Sequence, residues 1–174
     1  IELFRNTPLM LWMFVCFVMC PAPAVSKSFA EMLGMSSTVA VETLFKAIVA
    51  LTLFTSAIMA EIIRGGLNSV AKGQFEAAYS QGFGMMQTMT LIVLPQALRT
   101  AFPPLSNSLI AMVKDTSLAS NITVMEMFMA TQRIAARTYE MLPLYCEVAV
   151  VYLMFSTVLT FVQRWGCLLY TSDA

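Results

Sequence analysis

Between Arg5 and Lys27 the chain carries no charged residue, and none falls in 47–60, 100–113, 116–125 or 148–163. These runs limit the possible folds more than any other feature. A helix needs about 20 residues to cross the hydrocarbon core of a bilayer. Apolar residues make up 59% of the 174, and charged residues 11%. Soluble domains run near 45–50% and about 25%. The pattern predicts an all-α membrane protein.

Four segments follow from it. Segment one covers residues 7–26; Pro21 and Pro23 make its far end a poor helix, so the spanning part should stop near Cys20. Lys27 to Thr38 reads as a loop. Segment two covers 40–63. Glu42 and Lys46, four apart, can pair near one end, and Gly65-Gly66 should stop the helix. Segment three begins near Pro103-Pro104 and continues past Lys114-Asp115. Residues 126–142 are mixed, with a helix-like pattern. Segment four covers 143–163 and closes on Arg164 and Trp165, a pairing typical of a membrane interface. The chain opens on Ile1 at the edge of an apolar run, so we expect a truncated N-terminus with at least one segment upstream.

This threading puts Arg5, Arg64, Lys72, Arg99 and Arg164 on one side, and Lys27, Arg133 and Arg137 on the other. The more basic side is expected to be cytoplasmic. Between segments two and three lies a polar island at 65–100. Within it Phe75, Tyr79 and Phe83 recur every fourth residue, as do Ala78 and Gly82. That spacing predicts a short helix with an aromatic stripe beside a small-residue stripe. Gly84 suits its C-terminal cap, and Pro95 should open another short helix. The aromatic stripe is expected to pack on the chain's own helix ends.

Composition also excludes chemistry. The chain has no histidine, which removes histidine acid-base catalysis and histidine metal sites. None of its seven glycines precedes a lysine, so it has no phosphate-binding loop for ATP. Cys16 and Cys20 share a helix face but lack further ligands, and read as small hydrophobes. Net charge is zero, and nothing suggests nucleic acid. We expect no catalytic residue, no metal and no cofactor on this chain.

The island contains Glu76-Ala77-Ala78, then Gly82, then Ile92-x-Leu94-Pro95. This resembles the EAA loop of permease subunits of ABC importers at every defining position. Arg5-Asn6-Thr7-Pro8-Leu9, Ala60-Glu61-Ile62-Ile63-Arg64-Gly65-Gly66, Lys72-Gly73-Gln74 and Asp115-Thr116-Ser117-Leu118 resemble the polar amino-acid branch, with the likeness running from about Ile1 to Trp165. The resemblance implies a helical bundle of the type I importer permease kind, here about four transmembrane helices plus a cytoplasmic coupling helix, in a bacterial cytoplasmic (inner) membrane. It implies a permease domain at 1–166, with the coupling loop at 65–100. It implies ATPase contacts through Glu76, Ala77, Ala78, Gly82, Ile92, Leu94 and Pro95, with Glu76 paired to a basic group and the small residues keeping the contact tight. The implied partners are an ATPase dimer that holds ATP and magnesium, a second permease subunit (the same or different), an extracytoplasmic amino-acid-binding protein and lipid. Glutamine or glutamate is the cargo suggested by the branch. The tail 167–174 departs from the family pattern and receives no function.

Ser106, Asn107, Ser108, Lys114 and Asp115 are candidates for lining a transport path. Lys114 and Asp115 could meet the carboxylate and ammonium of an amino acid. Neighbours on a helix point about 100° apart, so we favour an interfacial pair with a snorkelling lysine. Two alternatives compete with a permease. An ion-coupled secondary transporter would need broken helices with midplane ion ligands and no docking loop. An intramembrane enzyme would need a paired nucleophile and base, or two catalytic aspartates, yet histidine is absent and the two aspartates, Asp115 and Asp173, are far apart in sequence.

Overall fold

The computed structural model describes residues 1–22, 24, 26–35 and 37–171, with backbone alone from 167 onward. Pro23 and the last three residues of the tail lie outside the described residues. Every regular element among those described is helical: α1 (Glu2–Arg5), α2 (Leu9–Met19), α3 (Lys27–Met32), α4 (Thr38–Asn68), α5 (Lys72–Ser80), α6 (Met85–Gln87), a π segment (Thr88–Val93), α7 (Leu94–Asp115), a 3-10 segment (Thr116–Ile122), α8 (Met127–Thr138) and α9 (Met141–Thr171). The four expected membrane segments correspond to α2, α4, α7 and α9. Two of these, α4 and α9, are long and apolar enough to cross a bilayer.

Local chemistry sets several boundaries. The Thr7 hydroxyl donates to the Leu3 carbonyl at 2.7 Å and accepts from the Trp12 indole at 2.6 Å. Trp12 stacks on Phe4 with centroids 4.2 Å apart, so Arg5-Asn6-Thr7-Pro8 is a folded corner between α1 and α2. Extended backbone at Cys20 ends α2 before Pro21. Its 11 residues rise about 16 Å, roughly half of a ~30 Å core. Segment one is therefore shorter as a helix than its charge-free run. The expected loop from Lys27 to Thr38 contains α3, which starts where the Ser26 hydroxyl accepts from the Phe29 amide. Ser37 caps α4 in the same way, through the Ala40 amide. Both serines mark helix starts.

The helices alternate in direction. The Arg5 guanidinium lies 3.5 Å from the Glu61 carboxylate, while the Lys46 ammonium donates to the Phe17 carbonyl at 2.8 Å and sits over the Phe17 ring. So α2 runs antiparallel to α4. Lys46 is engaged with Phe17 rather than with Glu42, because α2 brings a carbonyl and a ring face within its reach. Gly66 meets Ala97 and Ala101, which sets α7 antiparallel to α4. The Gln163 amide reaches Asn107, and the Tyr152 hydroxyl, earlier in α9, reaches Glu126 beyond the end of α7, which sets α9 antiparallel to α7. Consequently α1, the end of α4, α5, the start of α7 and the far part of α9 share one end of the bundle. Arg5, Arg64, Lys72, Arg99 and Arg164 belong to that end.

Two sequence expectations fail for a common reason. Gly65-Gly66 does not stop α4, which runs through to Asn68. A methyl group at position 66 would lie 2.7 Å from the Ala97 carbonyl oxygen and 2.9 Å from Ala101 Cβ. The glycine is there for a close helix crossing, as small residues commonly are in membrane bundles. Segment three begins at Leu94 rather than near Pro103-Pro104, so Pro95 opens the long helix itself. Two prolines inside α7 remove two amide donors, yet burial of Ala97 and Ala101 against α4 holds the helix in place.

Beyond Asp115 the expected apolar continuation becomes a 3-10 segment. Hydroxyls of Thr116, Ser117 and Ser120 donate to carbonyls three residues back, at 2.7, 2.8 and 2.7 Å. Such back-bonding competes with the regular α pattern. The Glu126 carboxylate then caps α8 by accepting from the Phe128 and Met129 amides, and also accepts from the Tyr152 hydroxyl of α9.

The principal core joins Leu9, Met13 and Cys16 of α2 to Ala47 and Ala50 of α4, closed by Ile122. Much of the remaining apolar surface faces outward, as with Leu153, Phe155 and Phe161 of α9. Such an exterior suits lipid and neighbouring subunits better than water.

Candidate functional site

The site is α5 with the π segment beneath it. The helix is held by one face. Phe75 packs on a second core formed by Val70, Val93 and Ala97, and Ala78 is 2% exposed. The Gln96 side-chain amide donates to that of Gln74 at 3.3 Å, tying α5 to α7. The outward face carries Glu76, Ala77, Tyr79 and Ser80. Of the aromatic stripe, then, Phe75 packs inward while Tyr79 stays 51% exposed. Ala78 also turns inward, into the chain's own packing.

Gly82, not Gly84, ends this helix. Its φ of +83° is left-handed. The Gly82 amide donates to the Tyr79 carbonyl at 3.0 Å, and the Phe83 amide to the Ala78 carbonyl at 3.1 Å. This is a Schellman cap, in which glycine takes the left-handed position. Gly84 instead precedes α6, where its amide donates to the Gln87 side chain at 3.0 Å. The EAA glycine thus fixes the turn that brings the chain back beneath α5.

Ile92, Leu94 and Pro95 sit where the π segment enters α7. Pro95 has no amide hydrogen for the carbonyl four residues earlier. The chain widens here, with the Leu94 amide bonding the Met89 carbonyl five residues back. Widening turns Val93 fully inward beneath α5, leaves Ile92 half-buried, and leaves Leu94 and Pro95 exposed.

The path candidates fall in two places. Ser106, Asn107 and Ser108 lie midway along α7. The Ser106 hydroxyl donates to the Phe102 carbonyl at 2.9 Å. The Asn107 side-chain oxygen accepts from the Gln163 amide at 2.9 Å. Lys114 and Asp115 lie at the end of α7, about 10 Å further along by helical rise, with Lys114 exposed and Asp115 half-buried. The structure does not bring the two groups together within this chain.

Sequence reasoning missed Gly66, Gln163 and the Glu126–Tyr152 link. For Gly66 a signal existed: Ala97 and Ala101 form a small-x-x-x-small face on the following helix. For Gln163 nothing in the sequence distinguishes a bridge to another helix from an interfacial polar end.

The family model for the binding-protein-dependent transport system inner membrane component matches residues 1–165. The chain belongs to that family. Among the relatives of this transport component, the L-cystine transport system permease protein TcyB of Bacillus subtilis is 38% identical over 161 residues, covering 92% of this chain and 63% of the relative. The inner membrane amino-acid ABC transporter permease protein YhdY of Escherichia coli is 39% identical over 133 residues, covering 76% and 33%. The probable glutamine ABC transporter permease protein GlnP of Bacillus subtilis is 36% identical over 167 residues, covering 94% and 70%. The chain therefore spans less than two thirds of the first two. A solved structure, the crystal structure of an amino acid ABC transporter with histidines, superposes with a TM-score of 0.78 at 26% identity, covering 95% of this chain and 71% of that one. The likeness to polar amino-acid permeases is thereby established, together with the membrane-protein class and the all-helical fold.

Proposed function

We propose that this chain is the permease subunit of an ATP-driven amino-acid importer and that α5 is its coupling helix. The cargo class comes from the relatives, whose names specify cystine, glutamine and other amino acids. One observation carries the mechanical part. The outward face of α5, with Glu76 and Ala77, lies at the basic end of the bundle, while Phe75 and Ala78 anchor its inner face. A helix gripped from outside and pinned from inside transmits displacement instead of absorbing it.

In this reading a separate ATPase dimer, which holds ATP and magnesium, receives α5 in a cleft. Glu76 meets a basic group there, and Gly82 fixes the turn that presents the helix. Closure of the dimer pushes α5. Phe75 passes the push to Val93 and Ala97, and Ala97 passes it to Gly66 of α4. A second permease subunit completes the path, a binding protein delivers cargo from outside, and the assembly sits in the bacterial cytoplasmic membrane with α5 in the cytoplasm. Co-purification of the full-length subunit with its ATPase, followed by substrate-stimulated ATP hydrolysis in vesicles, tests this reading. Failure of any ATPase to bind, or cleavage of α5 by protease added outside intact cells, would overturn it.

A further inference from the structure

Above Ala101 the α7 helix changes character. Below that point it is fixed to α4 through Gly66 and to α5 through Val93 and Ala97. Immediately above come Pro103 and Pro104, inside the helix. They leave the Arg99 and Thr100 carbonyls without their usual amide donors, so two fewer backbone hydrogen bonds resist bending there. One polar side chain from another helix meets the turn just above this point. The Gln163 amide of α9 donates to the Pro103 carbonyl at 3.4 Å and to the Asn107 side-chain oxygen at 2.9 Å. It therefore ties the first turn above the break to α9.

We infer that Pro103-Pro104 is the bending point at which coupling-helix motion becomes rearrangement of the transport path, and that Gln163 is its latch. The part of α7 below the hinge moves with α5 and the end of α4 as one packed unit. The part above it, from Asn107 to Asp115, changes its angle to α9. Bending α7 separates Asn107 from Gln163, so the latch is closed in one transport state and open in the other. Gln163 is a positioning residue, acting through α7 on whatever the path holds. The inference rests on the coupling reading of α5.

The test uses the complete permease–ATPase complex in vesicles, with native cysteines replaced and Asn107→Cys and Gln163→Cys introduced. A short bifunctional thiol reagent is applied to nucleotide-free and vanadate-trapped complex. Expected is efficient cross-linking in one state, at least a fivefold drop in the other, and blocked uptake once the link has formed. A link of equal yield in both states, harmless to uptake, would show a static contact and overturn the latch while leaving the coupling helix intact. Absence of ATPase from the complex would instead overturn the coupling reading and this inference with it. A second variant guards against misfolding. Gln163→Leu keeps side-chain volume but not the bridge, and should raise basal ATP hydrolysis while reducing its stimulation by substrate. Unchanged basal and stimulated rates in well-assembled Gln163→Leu complex would contradict the latch.

Discussion

Gly66 of α4 lies directly against the backbone of Ala97 in α7, leaving no room for a methyl group between them. The contact joins the helix that leads into α5 to the helix that follows the π segment. Gly65, one residue earlier, has open space around the same position. The pair therefore gives an internally controlled prediction. Gly66→Ala should lower stability by about 1–3 kcal/mol, as overpacking commonly does. Gly65→Ala should hold stability or raise it by up to about 1 kcal/mol, because alanine suits a helix interior. Thermal unfolding of the two variants in detergent compares them directly.

Gly82 and Gly84 form a second matched pair. Gly82 holds a left-handed backbone; Gly84 has an ordinary φ of −73° and little around it. Gly82→Ala should destabilise the turn by roughly 1–2 kcal/mol and expose residues 80–86 to limited proteolysis. Gly84→Ala should leave the cleavage pattern unchanged.

Phe75 is the bolt of α5. Phe75→Ala removes its contact with Val70, Val93 and Ala97. Full burial of a phenylalanine would make that loss about 3–5 kcal/mol; at half burial, roughly 2 kcal/mol is expected. Hydrogen exchange should rise in 72–80 and little elsewhere, and uptake should fall more than membrane insertion.

Lys114 is exposed at the end of α7. If its task is to reach the interface, Lys114→Ala should change the apparent affinity for cargo by less than twofold. A change of tenfold or more, measured by uptake titration, would assign Lys114 to cargo binding.

The charge-free runs made the helical class, the membrane setting and the four segments legible, because lipid tolerates little else at that length. Sequence spacing also located α5, since a polar helix between apolar ones stands out. Its cap was misplaced by two residues: Gly82 and Gly84 are equally good glycines on paper, and only the Schellman hydrogen bonds separate them. Reading Gly65-Gly66 as a stop failed because a helix neighbour, invisible in a linear string, made Gly66 a packing residue. The same holds for Lys46, whose partner Phe17 is 29 residues away. Pro103-Pro104 looked like a beginning because prolines favour first turns, whereas α7 arrives there already wound from Leu94.

The central claim is that an ATPase grips this subunit by the outward face of α5. The most direct measurement takes uptake and ATP hydrolysis together, in vesicles holding the complete transporter with Glu76→Lys. Reversing the charge at the docking face should leave insertion and basal hydrolysis in place while cutting uptake to under about a tenth. Uptake at the unmodified rate, with hydrolysis still stimulated by substrate, would contradict the account.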